Sequence, residues 1–460
     1  MLEQGCSTLG VGEDGRILDR LAGLEKVVSS ELARQVLHAT GRDNGRACKL
    51  THEVMLWVVL AMGLFTNMPI RQVFRHARRM RAGEKCPARS SLCVARQRLG
   101  VEPVQALHQA VVRPLATAET PGAFYRGWRL MGIDGVVMDV PDSAANASFG
   151  RSKGGRGEGS FPQVRKASLV ELGTPVEVAL AIGGWNDDER SLARQLWDQI
   201  PEDAILLEDR GFFSYDDWKE LHLRRKLLVR AASNLVLKPI RRLSDGSFLA
   251  KIYPNSYARD KDRDGIVLRV IEYTLDDPQR TGHGETHRLL TNLLDETEAP
   301  ALELIALYHE RWEEELVFDE QKTHQDPRRA EKPAQLRSET PAGVRQELYA
   351  LSLGHFVIRS LMFEAARPLE LDVDRLSFVN CFRILQCRLP ECDSRTAVSL
   401  QAWYDTLLAE IRSECIGPRR NRINPRVIKR KMSKWPKKHR HHRKPQPLLK
   451  TFGQCVVMKT

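Results

Sequence analysis

Between Trp128 and Ser233 the apolar pattern of this chain changes period repeatedly, and that change restricts the fold more than any other feature. WRLMGIDGVVMDV, VRKASLVEL and PVEVALAIGG are rich in β-branched and aliphatic residues and predict three strands. DERSLARQLWDQI then predicts a helix, AILLEDRGFF a strand, SYDDWKELHLRR a helix and KLLVRAAS a strand. Three strands followed by alternating helices and strands predict a mixed α/β sheet with helices packed on it.

The flanks obey other rules. From Leu50 to Thr117 the pattern is helical: HEVMLWVVLAMGLF is apolar all round and predicts a buried helix. MPIRQVFRHARRM follows, and then SSLCVARQRLG, with Ser90 and Ser91 as candidate N-caps and Gly100 as a stop. Between Arg71 and Arg98 there are nine Lys/Arg and one acid, Glu84. Two readings fit equally: a helix-turn-helix-like reader of DNA, or a helical bundle with a solvated basic face. The stretch NASFGRSKGGRGEGSFPQ (146–163) reads as a Gly-rich loop; it lacks the spacing of a phosphate-binding loop. Across 234–295, short strand-like runs alternate with SDGS, RDKDRDG and DDPQRTGHG, which are hairpin breakers, so a β-rich insertion is predicted. A single long helix is predicted from Pro300 to Pro327, with further helices near 341–366, 373–388 and 397–414.

A length of 460 residues suggests about three domains. The net charge of +12 favours a polyanionic partner. Thirteen Lys/Arg and no acid fall between Pro418 and Lys444, which reads as a basic arm, with His439, His441 and His442 as part of the same run. Its bland alternative is a solubilising tail. The longest apolar run, Val54–Phe65, is twelve residues, shorter than the roughly 18 a spanning helix needs. No secretory signal is visible, so a cytoplasmic, nucleoid-associated protein without a membrane partner is expected. The nine cysteines include no Cys-x-x-Cys pair and read as reduced packing residues.

Three carboxylates stand out. Asp134 lies inside an apolar strand and Asp209 ends another. A carboxylate there is costly unless paired or bound to a cation. On the helix after Pro300, Tyr308, Arg311, Glu315 and Lys322 fall at offsets 0, 3, 7 and 14. In a continuous α-helix these share a face about 60° wide. Asp319 is also in phase and competes with Glu315. Distant carboxylates that converge make a hard oxygen site for Mg2+, and two such ions can clamp a phosphodiester. Spacing alone favours the ordinary readings: a solvated ion-pair network on the helix, and turn or cap roles for the two aspartates.

The series Tyr308, Arg311, Glu315, Lys322 resembles, without a gap, the Tyr-Arg-Glu-Lys signature of the insertion-sequence-four-like DDE transposases. GIDGVVMDVPDSAANASFG around Asp134 and LLEDRGFFS around Asp209 are similar to the family's two Asp strands. Leu50–Arg98 resembles its helical N-terminal domain and NPRVIKRKMSKWPKK its basic C-terminal segment, so the similarity extends from Glu31 to Lys438.

That resemblance implies an RNase H-like catalytic domain interrupted by the β-rich insertion. The expected organisation is a helical DNA-binding domain at 1–117, the first part of the catalytic domain at 118–233, the insertion at 234–299 and the signature helix at 300–340. C-terminal helices at 341–417 and a basic arm at 418–460 complete it. It further implies that Asp134, Asp209 and Glu315 hold two Mg2+ ions, with Mn2+ able to substitute. Tyr308, Arg311 and Lys322, and also Arg210 and Arg230, are then expected to contact DNA phosphates. Asp139, Asp142, Asp187 and Asp188 are left without a catalytic part. The expected partners are double-stranded DNA, as transposon terminal inverted repeats and as target, and a second copy of the chain in a synaptic complex. The implied reaction is cut-and-paste excision and integration through a hairpin. The alternatives from other classes are a DNA-binding regulator without strand transfer and a plain metal-dependent nuclease. Some relatives stack a Trp of the insertion on a flipped base. No Trp occurs here between Trp218 and Trp312, which leaves Phe248, Tyr253, Tyr257 or Tyr273 as substitutes.

Overall fold

A computed structural model describes residues 13–43, 49–78, 83–154, 157–232, 234–278, 280, 282–325, 336–392, 396–417 and 450–459. Helices α1 (Ser30–Ala39), α2 (His52–Leu64), α3 (Ile70–Ala77), α4 (Arg89–Leu99) and α5 (Glu102–Val111) come first. Strands β1 (Phe124–Tyr125), β2 (Trp128–Asp139), β3 (Arg151–Gly154), β4 (Gly157–Glu171) and β5 (Val176–Gly184) follow. Then α6 (Glu189–Arg194), β6 (Ala204–Glu208), α7 (Tyr215–Leu221) and β7 (Lys226–Arg230) alternate. Next come β8 (Arg241–Arg242), β9 (Phe248–Ile252), the short α8 (Ser256–Asp260), β10 (Ile266–Leu275) and β11 (His287–Thr291). Helices α9 (Ala301–His309) and α10 (Trp312–Asp319) lead into a π-helical turn, Glu320–Gln325. Helices α11 (Pro341–Ala366), α12 (Phe378–Arg388) and α13 (Ala397–Ser413) follow, and α14 (Phe452–Cys455) and β12 (Val456–Met458) end the described chain.

These elements form two compact units. A helical unit takes 1–123, 135–199 and 314–415; a sheet unit takes 124–134, 200–313 and 416–460. Strand β2 contributes its first half to the sheet unit and its second half to the helical unit.

In the helical unit, every residue of α2 from Val54 to Leu64 is buried, as its uniform apolarity requires. Its partner is α11, which is buried along most of its length. The two backbones meet at glycine: a Cβ on Gly63 would lie 1.9 Å from the carbonyl oxygen of Ala350, and one on Gly354 would lie 3.0 Å from Gly63. Gln325 locks this crossing by donating to the carbonyls of Gly63 and Leu351, both at 2.9 Å. Ser29, Thr51, Thr340, Ser377 and Thr396 cap α1, α2, α11, α12 and α13, accepting main-chain N–H bonds left open at each helix start. Helix α4 starts at Arg89, so Ser90 and Ser91 lie inside its first turn and the uncharged Ala88 holds the cap position. Gly100, with φ +79°, ends the helix as expected. Arg96 of that helix turns inward and donates to Gln346, Ser338 and the Gly343 carbonyl, whereas Arg89 and Arg98 are exposed. Much of the Gly-rich stretch expected as a loop pairs as strands: β3 runs antiparallel to the start of β4, with a register shift between Arg151 and Lys153. β4 then pairs antiparallel with β5.

In the sheet unit, the first half of β2 runs parallel to β6, and β6 runs parallel to β7. β11 adds antiparallel to β7, followed in order by β10, β9 and β8. All three predicted breakers connect antiparallel neighbours, and Gly246, between β8 and β9, has the φ of +86° such a turn favours. The strands read as an insertion thus continue the sheet begun by β2, β6 and β7. β12 pairs with the end of β10, so the last residues of the expected basic arm form an ordered edge. Residues 418–449, which carry the basic run, lie outside the described residues. The mixed α/β fold with leading helices and a C-terminal helical region is as expected. Among the described residues no helix is long and apolar enough to cross a membrane, and seven cysteines are free thiols.

The signature helix departs from expectation. It breaks after His309, where the N–H groups of Glu310 and Arg311 bond only three residues back, to Leu307 and Tyr308. The π turn shifts the phase again from Glu320 onward. Pro327, the expected stop, lies outside the described residues.

Candidate active site

The sheet unit positions two of the three acids by strand register. The last paired rung between β2 and β6 is Ile133 with Glu208, and Glu208 is paired in turn with Val229 of β7. The next residues along the three parallel strands are Asp134, Asp209 and Arg230. Neighbouring strands lie about 4.8 Å apart, so two carboxylates and a guanidinium-bearing residue form one row, at the C-terminal ends of β6 and β7 and midway along β2, which runs on to Asp139. That edge is where open α/β sheets present their ligand sites. Asp134 and Asp209 are half-buried; Arg210, one residue on, is exposed and gives its main-chain N–H to Asp209 Oδ1 at 2.8 Å.

Helix α9 and the turn that follows it bring Tyr308 and Arg311 to the same edge. Leu304 and Ile305 are buried, and Tyr308, itself 9% exposed, donates its hydroxyl to the Glu208 carbonyl at 3.2 Å. The Arg311 guanidinium lies 3.9 Å from Asp134 Oδ2 and 5.8 Å from the Tyr308 ring centre. Below the row, burial pushes the Glu208 carboxyl up to about 8, and the charge of Asp217 adds to the effect.

Glu315 and Lys322 belong to the helical unit. Glu315 is an exposed residue of α10; Lys322 is in the π turn with its ammonium 5.8 Å from the Phe318 ring centre. The rival acid Asp319 faces His324 at 3.3 Å. Among the described residues no group of three His, Cys, Asp or Glu side chains is arranged as a ready-made metal site. The side chains of Glu313 and Glu314 lie outside the description.

Of the four aromatic residues considered for base stacking, Phe248 and Tyr273 are buried, and Tyr273 stacks on His287 with ring centres 5.1 Å apart. Neither has an open face. Tyr253 binds Asp262 through its hydroxyl at 2.6 Å. Tyr257 is 64% exposed.

Glu189 was not among the residues singled out from sequence. It stands in the first turn of α6, and its Oε1 would lie 1.6 Å from a Cβ on Gly135, the residue after Asp134. The only hint in the sequence is the second Gly of GIDG. The buried clamps on the π turn were also missed, since Glu320 and Gln321 look like ordinary surface residues of a charged helix.

Two family models match the chain. Residues 18–109 match the insertion element 4 transposase N-terminal model, and residues 129–351 match the transposase DDE domain model. The transposase InsG for insertion sequence element IS4 of Escherichia coli (strain K12) is 28% identical over 422 residues, covering 90% of this chain and 93% of that relative. The putative transposase InsZ of the same organism is 27% identical over 190 residues, covering 39% of this chain and 58% of its own length. The two models together span well over half the chain, and the second contains every acid and every signature residue described above, so the chain belongs to the IS4 group of DDE transposases.

Proposed function

We propose that this chain excises and integrates an insertion sequence by metal-dependent hydrolysis and transesterification of DNA phosphodiester bonds, on an RNase H-like core. The observation that carries the reading is the shared row of Asp134, midway along β2, and Asp209, just past the end of the adjacent parallel strand β6, with Tyr308 and Arg311 beside it. The donor set suits Mg2+ or Mn2+, because carboxylate oxygens are hard ligands and two of them converge at one strand edge. Asp134, Asp209 and Glu315 would hold the ions. Bound there, two divalent ions supply Lewis-acid stabilisation to the attacking and leaving oxygens of the phosphodiester.

The chain's own residues do the rest. Arg311 balances Asp134 and offers planar donors to a phosphate. Tyr308 fixes the end of β6 through the Glu208 carbonyl. Arg230 and Arg210 flank the row, and Lys322 extends the positive charge along the DNA. The nucleophiles are water for end cleavage, the freed 3′-hydroxyl for hairpin formation, a second water for opening the hairpin, and the 3′-hydroxyl so regenerated for strand transfer. Two copies pair two transposon ends before target DNA is captured, with the C-terminal helices as the dimer contact and the cytoplasmic nucleoid as the setting. The exposed arginines of α3 and α4 contribute to end recognition.

The test is incubation of the full chain with the element's own ends, a target plasmid and Mg2+. Cut ends and joined products are expected. Asp134→Asn, Asp209→Asn and Glu315→Gln should each abolish cutting while end binding persists. Wild-type cutting by any one of them removes that residue from the site. Cutting without joining identifies a nuclease, and binding without cutting a regulator.

A further inference from the structure

The segment that carries Glu315 and Lys322 is held in the helical unit by two separate buried polar clusters, both on the π turn that follows the signature acid. Gln321 closes the first. Lys166 of β4 donates to Glu177 of β5 at 2.6 Å and to Gln321 Oε1 at 2.7 Å, and Gln321 Nε2 donates to Glu177 at 2.9 Å. Ser168 adds a further donor to Glu177. Lys166, Glu177 and Gln321 are each no more than 2% exposed. Glu320 closes the second cluster, accepting from His355 Nε2 at 2.9 Å and from the Arg359 guanidinium, both on α11.

A π turn is an unusual place for such expense. Buried ion pairs are weak evidence of stability, because desolvation offsets most of their attraction. A π turn has one residue more per turn than an α-helix and recurs at functional sites. Here it brings Glu320 and Gln325, five apart, onto the buried side together, where an α-helix would separate them. Phe318, one turn back, lies within 5.6 Å of the Lys166 ammonium and 5.8 Å of the Lys322 ammonium. The same buried lysine thus touches the clamp and the ring that supports Lys322. Meanwhile Glu315, Asp319 and Thr323 of the segment are exposed.

We infer that Gln321 and Glu320 are positioning residues: their buried clamps set the rotation and axial place of the segment that presents Glu315 and Lys322 to metal and DNA. This rests on the catalytic reading of Glu315 given above. The clamps act through hydrogen-bond direction, so volume alone does not replace them. Removing a group that hydrogen-bonds a metal ligand directly changes metal affinity by about 10- to 100-fold, and the lower end of that range is the scale expected for clamps that act through the segment.

The experiment uses the full chain bound to a duplex carrying the element's end. Mn2+ binding is read by electron paramagnetic resonance, nicking by single-turnover rate against Mg2+ concentration, and folding by thermal melting. Gln321→Met keeps the volume and loses both hydrogen bonds. Glu320→Gln keeps the shape and loses the charge. His355→Gln, which leaves a donor toward Glu320, is the mild third variant should the first two be insoluble. The expected result is weaker Mn2+ binding and a Mg2+ midpoint raised about tenfold in Gln321→Met, end binding within about twofold of wild type, and a smaller shift in the same direction for His355→Gln. Variants that melt earlier but bind Mn2+ and nick with the wild-type midpoint overturn the inference, while a dead Glu315→Gln control leaves the catalytic reading standing. Normal Mn2+ binding and nicking by Glu315→Gln overturns both.

Discussion

Tyr308 donates its phenolic hydroxyl to the main-chain carbonyl of Glu208, 3.2 Å away, and thereby ties the first residue of the family signature to the end of the strand that leads into Asp209. Tyr308→Phe deletes that bond inside a buried contact. The expected cost is about 1 kcal/mol, seen as a lower melting temperature, with slower end cleavage because β6 loses its brace. Unchanged melting and cleavage together would show the bond to be idle.

Arg230 stands in the row of Asp134 and Asp209, one residue past Val229, the last residue of β7 paired with β6, and is itself paired with Leu289 of β11. If it meets a phosphate, Arg230→Ala should weaken end binding uniformly across sequences and reduce the salt slope by about 1. Filter binding at several salt concentrations reads this directly. A slope identical to wild type places Arg230 away from the DNA.

The crossing of α2 and α11 depends on Gly63. A methyl group there meets main chain, 1.9 Å from the Ala350 oxygen, and main chain of a buried helix cannot step aside. Gly63→Ala should cost about 3 kcal/mol, measured by denaturant unfolding. Gly135→Ala meets only the end of the Glu189 side chain. It should melt close to wild type and yet impair cleavage, because it displaces the carboxylate packed on the residue that follows Asp134 in the chain.

His108 is buried and bonds Ser352 at 2.9 Å; burial lowers its pKa to about 4 from an ordinary 6.5. The unfolded chain takes up the proton below 6.5 while the folded chain refuses it until about 4. Its contribution to stability is therefore fully present above pH 6.5, is lost progressively as pH falls from 6.5 toward 4, and is flat below that. Unfolding free energies of wild type and His108→Gln should converge across that window by about 3 kcal/mol. Parallel curves would contradict it.

Much of the fold was legible locally. The uniform apolarity of Val54–Leu64 needs burial wherever the helix packs, and strands β2, β4 to β7 and β9 to β11 follow from β-branched runs between breakers. The acids of β2 and β6 were visible because a carboxylate in or at the end of an apolar strand demands a reason. Other features were not legible. Ser90 and Ser91 looked like caps, yet Arg89 already belongs to α4. The Gly-rich stretch 146–163 looked like a loop, yet much of it pairs as strands, since glycine tolerates strands as well as turns. Phe248 and Tyr273 looked available for stacking and are buried by neighbours far along the chain.

The amino-acid sequence alone determined which elements form, which residue types could bind divalent metal and phosphate, and, through the spacing of Tyr308, Arg311, Glu315 and Lys322, the family. Only the tertiary structure decided that Asp134, Asp209 and Arg230 fall on one row, because strand register is a non-local property that no single strand encodes. It also decided that the signature helix breaks at Glu310 and turns π at Glu320. In the π turn Glu320, Gln321 and Gln325 find buried partners on β4, β5, α2 and α11, and the energy of satisfying buried polar groups outweighs the preference of that segment for a straight α-helix.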